Sequence, residues 1–250
     1  FYFIALDLGL NRDRTLSYVA LDARIGAAAG ALCGLGLQRA DRVGIYLPKQ
    51  IESVVAMFGA AAAGCTFVPV NPVLKSAQVG YILRDCDVKV LVTSASRLQD
   101  LRAELAQCPA LQAVVVVGGG NTEGLTVPVI DWESWLRTPA APVHRVIDTD
   151  MVSILYTSGS TGKPKGVVLS HRNMVTGAHS VASYLGNTPD DRLLAVLPFS
   201  FDYGFSQLST AFSVGATVVL LEYLLPRDVV RAVARERITG LAGVPPLWIQ

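Results

Sequence analysis

The sequence predicts an α/β fold with mostly parallel β-sheets that are covered by helices. Runs dominated by β-branched residues, such as VKVLVT at 88–93 and AVVVV at 113–117, are typical of strands buried on both faces. Segments with helical character alternate with these runs along the chain. This alternation indicates parallel strands joined by helical crossovers.

The first half of the chain shows the alternation in a regular order. Ser17 is a candidate N-cap for an Ala-rich helix that stops near Gly34 and Gly36. Pro48 ends the first of the apolar strands. The predicted strands are 42–47, 65–70, 88–93 and 113–117, and the further predicted helices are 51–63, 76–85 and 96–107.

The second half continues the pattern after two stretches rich in turn-forming residues, 118–125 and 138–143. The predicted elements are strands at 154–156, 166–169, 193–197, 217–221 and 239–244, and helices at 171–185, from about 204 to 212 and 226–236. Pro226 stands at the position that proline favours in a helix. We expect a first α/β lobe over 1–147 and the start of a second lobe over 148–250.

Composition argues against several classes of partner and site. The net charge is +1, so we expect no nucleic-acid partner. Charged residues make up 16% of the chain, so either the core is large or part of the surface is covered by something else. Three scattered histidines do not suggest a metal site. Four widely spaced cysteines without a C-x-x-C pair suit reduced thiols in the cytoplasm.

One uncharged stretch, 53–74, is long enough to suggest a membrane span. It contains Gly59, Gly64, Pro69 and Pro72, so a buried helix followed by a buried strand is the better interpretation. No targeting pattern opens the chain. We therefore expect no membrane span and a cytoplasmic location.

The stretch ILYTSGSTGKPKGVVLSH at 154–171 has the composition of a phosphate-binding loop between two apolar runs. Its glycines allow tight turns and expose backbone N–H groups to an anion. Its hydroxyl side chains and the lysines at 163 and 165 add donors and positive charge. The generic patterns G-x-x-x-x-G-K-[ST] and G-x-G-x-x-G do not fit.

The segment TSGSTGKPKG at 157–166 resembles the signature loop of the adenylate-forming superfamily, which includes acyl- and aryl-CoA ligases, nonribosomal adenylation domains and luciferases. The runs LSYVALDARIGAAAGAL and AAAGCTFVPVNP resemble two further shared motifs of that family. The resemblance therefore implies the amino-terminal part of the large α/β domain of such an enzyme. Residues 193–250 also resemble a bacterial, exosortase-associated subgroup of AMP-forming acyl-CoA ligases.

The resemblance implies attack by a substrate carboxylate on the α-phosphorus of ATP, which gives acyl-AMP and pyrophosphate. The protein's contribution to such a reaction is positioning and charge neutralisation. Thr161 and Lys165 are implied as catalytic residues, with Mg²⁺ ligands mostly elsewhere. The residues implied to bind ATP are Thr157, Ser158, Gly159, Ser160, Thr161, Gly162 and Lys165.

The segment LPFSFDYG at 197–204 corresponds to the carboxylate pocket of the family. Many acyl-CoA ligases carry histidine at position 201, whereas the Phe201–Asp202 pair resembles amino-acid adenylation domains, in which the aspartate holds the substrate ammonium. A buried carboxylate needs such a partner. Alternatively, Asp202 caps the following helix. The resemblance also places Tyr203 and Ser206 in the substrate pocket.

These features favour part of an ATP-dependent, AMP-forming ligase that transfers a carboxylic acid to CoA. The alternatives are an amino-acid adenylation domain that loads a carrier-protein thiol, a non-catalytic nucleotide-binding module, and a phosphoryl transferase that releases ADP. The family's adenine motif, ribose-binding aspartate and C-terminal lysine are not found within 1–250. We therefore interpret the chain as a fragment that is inactive alone.

Overall fold

The structure is a computed structural model that describes residues 2–6, 14–119, 124–157, 164–223 and 225–249. The strands are β1 (Tyr2–Leu6), β2 (Arg14–Ser17), β3 (Arg42–Tyr46), β4 (Thr66–Pro69), β5 (Val88–Ser94), β6 (Ala113–Val117), β7 (Val129–Asp131), β8 (Met151–Thr157), β9 (Lys165–Ser170), β10 (Arg192–Ala195), β11 (Thr217–Leu221) and β12 (Gly240–Leu241). The helices are α1 (Tyr18–Gly34), α2 (Ile51–Ala62), α3 (Ser76–Asp85), α4 (Ala95–Leu105), α5 (Trp132–Leu136), α6 (His171–Leu185), α7 (Asp202–Val214), α8 (Pro226–Arg235) and α9 (Pro245–Ile249).

The chain forms two compact units, each with its own sheet. One unit comprises Phe1–Leu21, Pro48–Ile51 and Arg172–Gln250, and the other comprises Asp22–Leu47 and Glu52–His171. The larger sheet has the strand order β7-β6-β5-β3-β4-β8-β9, and the smaller has the order β12-β10-β11-β1-β2. Within each sheet all neighbours are parallel except the pairs β8–β9 and β1–β2. The predicted fold class is confirmed.

The core of the larger sheet's unit follows from helical and strand periodicity. The apolar residues of α3 and α4 recur every three or four positions, so each helix buries one face. These buried residues are Val79, Ile82, Leu83, Leu98, Leu101 and Leu105. They join buried strand residues such as Leu91 and Val114 in one cluster. The continuous runs in β5 and β6 are therefore strands buried on both faces, as predicted.

The smaller sheet's unit has a separate core. Its buried members come from β10, β11, α8 and the segment after β10, namely Leu194, Val196, Leu197, Val219, Leu221, Val229 and Ala232. α7 ends at Val214, and its C-cap Gly215 adopts the left-handed conformation with φ of 73°. That turn brings the chain back into β11.

The sheets divide the chain at positions other than the predicted lobe boundary at residue 148. β8 belongs to the larger sheet because Phe67 of β4 pairs with Ser153. β1 belongs to the smaller sheet because Ile4 pairs with Val219 of β11. Neither pairing leaves a local signal in the sequence, since each joins segments far apart along the chain.

Most predicted elements appear within one or two residues of their expected bounds. The uncharged stretch 53–74 consists mainly of α2 and β4, as the interpretation of a buried helix and strand requires. The sequence does not predict β1, β2 or β7. The strand expected at 239–244 is restricted to β12, because Pro245 opens α9 shortly afterwards. Among the described residues, no helix has both the length and the apolar character needed to cross a bilayer.

Candidate functional site

The loop that resembles a phosphate site is held between the two arms of a β-hairpin. β8 and β9 pair in antiparallel register, and the last pair places Thr157 opposite Lys165. The Thr157 hydroxyl donates to the carbonyl oxygen of Lys165 at 3.5 Å, and both residues are exposed. The predicted site residues Ser158, Gly159, Ser160, Thr161 and Gly162 lie outside the described residues. The structure therefore places the two ends of the predicted loop side by side.

The two arms of the hairpin differ in burial. β8 buries Val152, Ser153, Ile154 and Leu155 and emerges at Thr157, so it carries the loop from the interior to the surface. β9 lies at the edge of the sheet with Lys165 to Val168 exposed. The two arms together fix the ends of the loop at Thr157 and Lys165.

Gly166 allows the two arms to approach closely. A Cβ on Gly166 would lie 2.6 Å from Cγ2 of Ile154 and 3.4 Å from the ring of Tyr156. The first of these distances is too short for any larger residue. Gly166 is therefore required by packing against β8, a role that its place in a loop motif does not reveal.

Sequence reasoning missed a hydrogen-bonded group directly before the loop. The hydroxyl of Tyr156 donates to Oδ2 of Asp85 at the end of α3, and the thiol of Cys86 lies 3.1 Å from the same hydroxyl. Burial, and then the bond to Asp85, raise the pKa of Tyr156 above its ordinary value, so the hydroxyl stays protonated. The position of Tyr156 in an apolar run gave no sign of this contact.

The second candidate segment leads from β10 into α7, in the other compact unit. Val196, Leu197 and Phe199 are buried, whereas Phe201 and Tyr203 are each 43% exposed. The rings of Phe201 and Tyr203 pack edge to face with centroids 6.4 Å apart. The predicted pocket residues Phe201, Asp202 and Tyr203 thus share the first turn of α7, and Ser206 lies half-buried one turn later.

Asp202 is exposed, so the cost of burial that motivated a cationic partner does not arise. Its Oδ1 accepts the backbone N–H of the next residue, Tyr203, at 2.7 Å, which is not an N-cap bond. The N-cap is Phe201, so the alternative that Asp202 caps α7 is wrong by one residue. A carboxylate in the first turn is also favoured by the helix dipole.

Among the described residues, no three His, Cys, Asp or Glu side chains come close enough to hold a metal ion. All four cysteines are free thiols, and three of them are buried.

The AMP-binding enzyme family model matches residues 3–250, nearly the entire chain. The chain belongs to the AMP-binding enzyme family. This AMP-binding chain is 34% identical over 238 residues to an L-proline--[L-prolyl-carrier protein] ligase of Streptomyces coelicolor, with 92% of the chain and 44% of that relative covered. It is 32% identical over 250 residues to a 3-[(3aS,4S,7aS)-7a-methyl-1,5-dioxo-octahydro-1H-inden-4-yl]propanoyl:CoA ligase of Mycobacterium tuberculosis, covering 96% of the chain and 48% of the relative.

Solved structures agree with this assignment. The anthranilate CoA ligase AuaEII, in complex with anthranoyl-AMP, superposes with a TM-score of 0.87 at 27% identity, covering 96% of this AMP-binding chain and 46% of that protein. The chain thus spans about half the length of these relatives. The predicted family is confirmed. The exosortase-associated subgroup stays a prediction.

Proposed function

We propose that this AMP-binding chain is the part of an ATP-dependent acid–thiol ligase that holds the triphosphate and borders the acid. An oxygen of the substrate carboxylate attacks the α-phosphorus of ATP, the bond to the β-phosphate oxygen breaks, and pyrophosphate leaves. A thiol then attacks the carbonyl of the acyl-AMP and displaces AMP. The observation that supports this proposal is the hairpin that pairs Thr157 with Lys165 at the ends of the signature loop.

The loop residues act by positioning and by neutralising charge. Backbone N–H groups and hydroxyls over 157–162 would donate to the β- and γ-phosphates, with Thr161 donating as charge develops on the leaving pyrophosphate. Lys165 would add a positive charge from its exposed position on β9. Mg²⁺, when bound with ATP, supplies further neutralisation of the phosphates.

CoA is the proposed acceptor, and a carrier-protein thiol is the alternative. The mycobacterial relative is named as a CoA ligase, and the Streptomyces relative is named for a carrier protein. We place the reaction in the cytoplasm, where the free thiols described above remain reduced.

The deciding experiment is ATP–pyrophosphate exchange by the full natural protein with panels of fatty, aryl and amino acids. Acid-dependent exchange with AMP as the nucleotide product supports the ligase. Release of ADP would indicate phosphoryl transfer to the acid. Nucleotide binding without exchange for any acid would favour a non-catalytic module. Addition of CoA or of a carrier protein then shows which thiol accepts the acyl group.

The amino-acid alternative depends on Asp202, whose carboxylate is exposed at the start of α7. A substrate ammonium would pair with this carboxylate. If so, Asp202→Ala loses exchange with amino acids but keeps exchange with acids that lack an ammonium group. The isosteric Asp202→Asn variant keeps the hydrogen bond to Tyr203 and removes only the charge. An unchanged amino-acid profile in both variants would exclude the ammonium role.

A further inference from the structure

A buried lysine joins the ends of two neighbouring strands in the smaller sheet's unit. Nζ of Lys49 donates to the carbonyl oxygen of Val196 at 2.9 Å and to Oε2 of Glu222 at 3.2 Å. The backbone N–H of Lys49 donates to Oε1 of the same glutamate at 3.1 Å. Glu222 therefore holds Lys49 by both its side chain and its backbone.

The burial of this ammonium is costly, and the contacts compensate for it. The Lys49 side chain is 5% exposed, whereas that of Glu222 is 48% exposed. Burial lowers the pKa of Lys49, and the charge of Glu222 opposes this shift. A packed apolar side chain at such a position is often as stable as an ion pair. Stability alone therefore does not explain a lysine at position 49. The positions of its two partners in the sheet suggest another role.

Both partners lie at the carboxyl edge of the sheet. Val196 directly follows β10, and Glu222 directly follows β11. β10 and β11 are parallel neighbours, and ligands of parallel α/β sheets bind outside this edge. Lys49 thus fixes the backbone at the edge from which the acid-binding segment leaves.

The contact extends through a short tight turn to the predicted pocket. Two residues after Val196, the carbonyl oxygen of Pro198 accepts the N–H of Phe201 at 3.1 Å. Phe201 is the N-cap of α7, and Asp202 and Tyr203 follow it in the first turn. A shift of the Val196 carbonyl would therefore move the start of α7 and the residues that it presents.

We propose that Lys49 is a positioning residue for the acid-binding segment 197–206. The inference rests on the proposed function, because it assigns Lys49 to the acid site of that reaction. Lys49 is not expected to touch the acid, since its side chain is only 5% exposed and its ammonium is bonded to Val196 and Glu222. Its loss should weaken the use of the acid and leave the use of ATP nearly unchanged.

The test is steady-state kinetics of exchange by the full natural protein, with acid and ATP varied separately. Lys49→Met removes the charge but keeps an apolar stem of similar length. We expect the KM for the acid to rise about tenfold, the effect of losing a hydrogen bond to a charged group, and the KM for ATP to change by less than about twofold. Glu222→Gln should shift the acid KM in the same direction by a smaller factor. Lys75→Met, at an exposed lysine before α3, is the matched control and should change neither KM.

Thermal unfolding of each variant shows whether it is folded. If Lys49→Met does not fold, the acid KM of Glu222→Gln decides whether the positioning role holds. Unchanged acid KM in the folded variants would overturn the positioning role. A parallel rise in both KM values, or a fall in kcat alone, would also overturn it, because either indicates a general structural effect. Absence of exchange in the wild type with every acid would overturn the proposed function and this inference with it. The two failures are distinguished by the wild type, which is active only in the first.

Discussion

Gly204 packs against the carbonyl group of Pro198 so closely that a Cβ on Gly204 would lie 2.0 Å from the Pro198 oxygen. The same oxygen accepts the N–H of Phe201. Two residues of the turn between β10 and α7 therefore contact the same carbonyl group. Only a residue without a side chain fits at position 204 while Phe201, Asp202 and Tyr203 keep their places.

Gly204→Ala should destabilise the protein by about 1–3 kcal/mol, because the added methyl group forces the turn apart. Gly177→Ala is the matched control, since its Cβ would meet nothing within 4 Å in the middle of α6. This control should stabilise the protein by about 0.5–1 kcal/mol through helix propensity. Urea unfolding measures both changes. Similar free energies of unfolding for the two variants would contradict the packing argument.

Tyr156→Phe should lower the free energy of unfolding by about 1–2 kcal/mol, because it removes the hydrogen bond to the Asp85 carboxylate. Tyr81→Phe is the control. Tyr81 packs against the same core cluster, and its hydroxyl has no hydrogen-bond partner among the described residues. If both variants lose the same stability, the bond to Asp85 is not the cause.

Lys165→Met should reduce kcat/KM for exchange by about 10²–10³, the typical effect of removing one preorganised donor. The fold should be unaffected, because Lys165 is exposed at the edge of the larger sheet. Lys75→Met again serves as the control for loss of a surface lysine. An exchange rate in Lys165→Met equal to that of the control would remove Lys165 from the proposed site.

The Arg39–Asp150 ion pair should make stability depend on pH in the acid range. The hydrogen bond from Arg39, followed by the N–H of Ile147, lowers the pKa of Asp150 below its ordinary value of 3.8. A lowered pKa contributes stability that is present above 3.8 and is lost as the pH falls through the folded-state pKa. Urea unfolding from about pH 5 to about pH 3 should therefore show a smaller decline for Asp150→Asn than for the wild type.

Equal slopes of stability against pH in Asp150→Asn and the wild type would contradict this assignment. Asp22→Asn is a suitable control, because no hydrogen bond or ion pair joins the Asp22 side chain to the described residues. This variant should keep the slope of the wild type.

The helices and central strands could be predicted because their signals are local. β6 is a continuous β-branched run, and α3 repeats its apolar residues every three or four positions. The short strand β1 could not be predicted, since it exists by pairing with the distant strand β11. β7 has only three residues, too few to show a periodic pattern. The expectation that Asp202 is buried was also wrong. Its apolar neighbours along the chain do not surround it in space.

The sequence by itself determined the fold class, the family and the loop at 157–166, because each is encoded in patterns among neighbouring residues. The tertiary structure decided what holds the candidate sites in place. Lys49 meets Val196 and Glu222 across 147 and 173 residues of chain. Tyr156 donates a hydrogen bond to Asp85, which lies 71 residues away along the chain. Contacts of this kind arise only when the sheets bring distant strand and helix ends together, so no local pattern contains them.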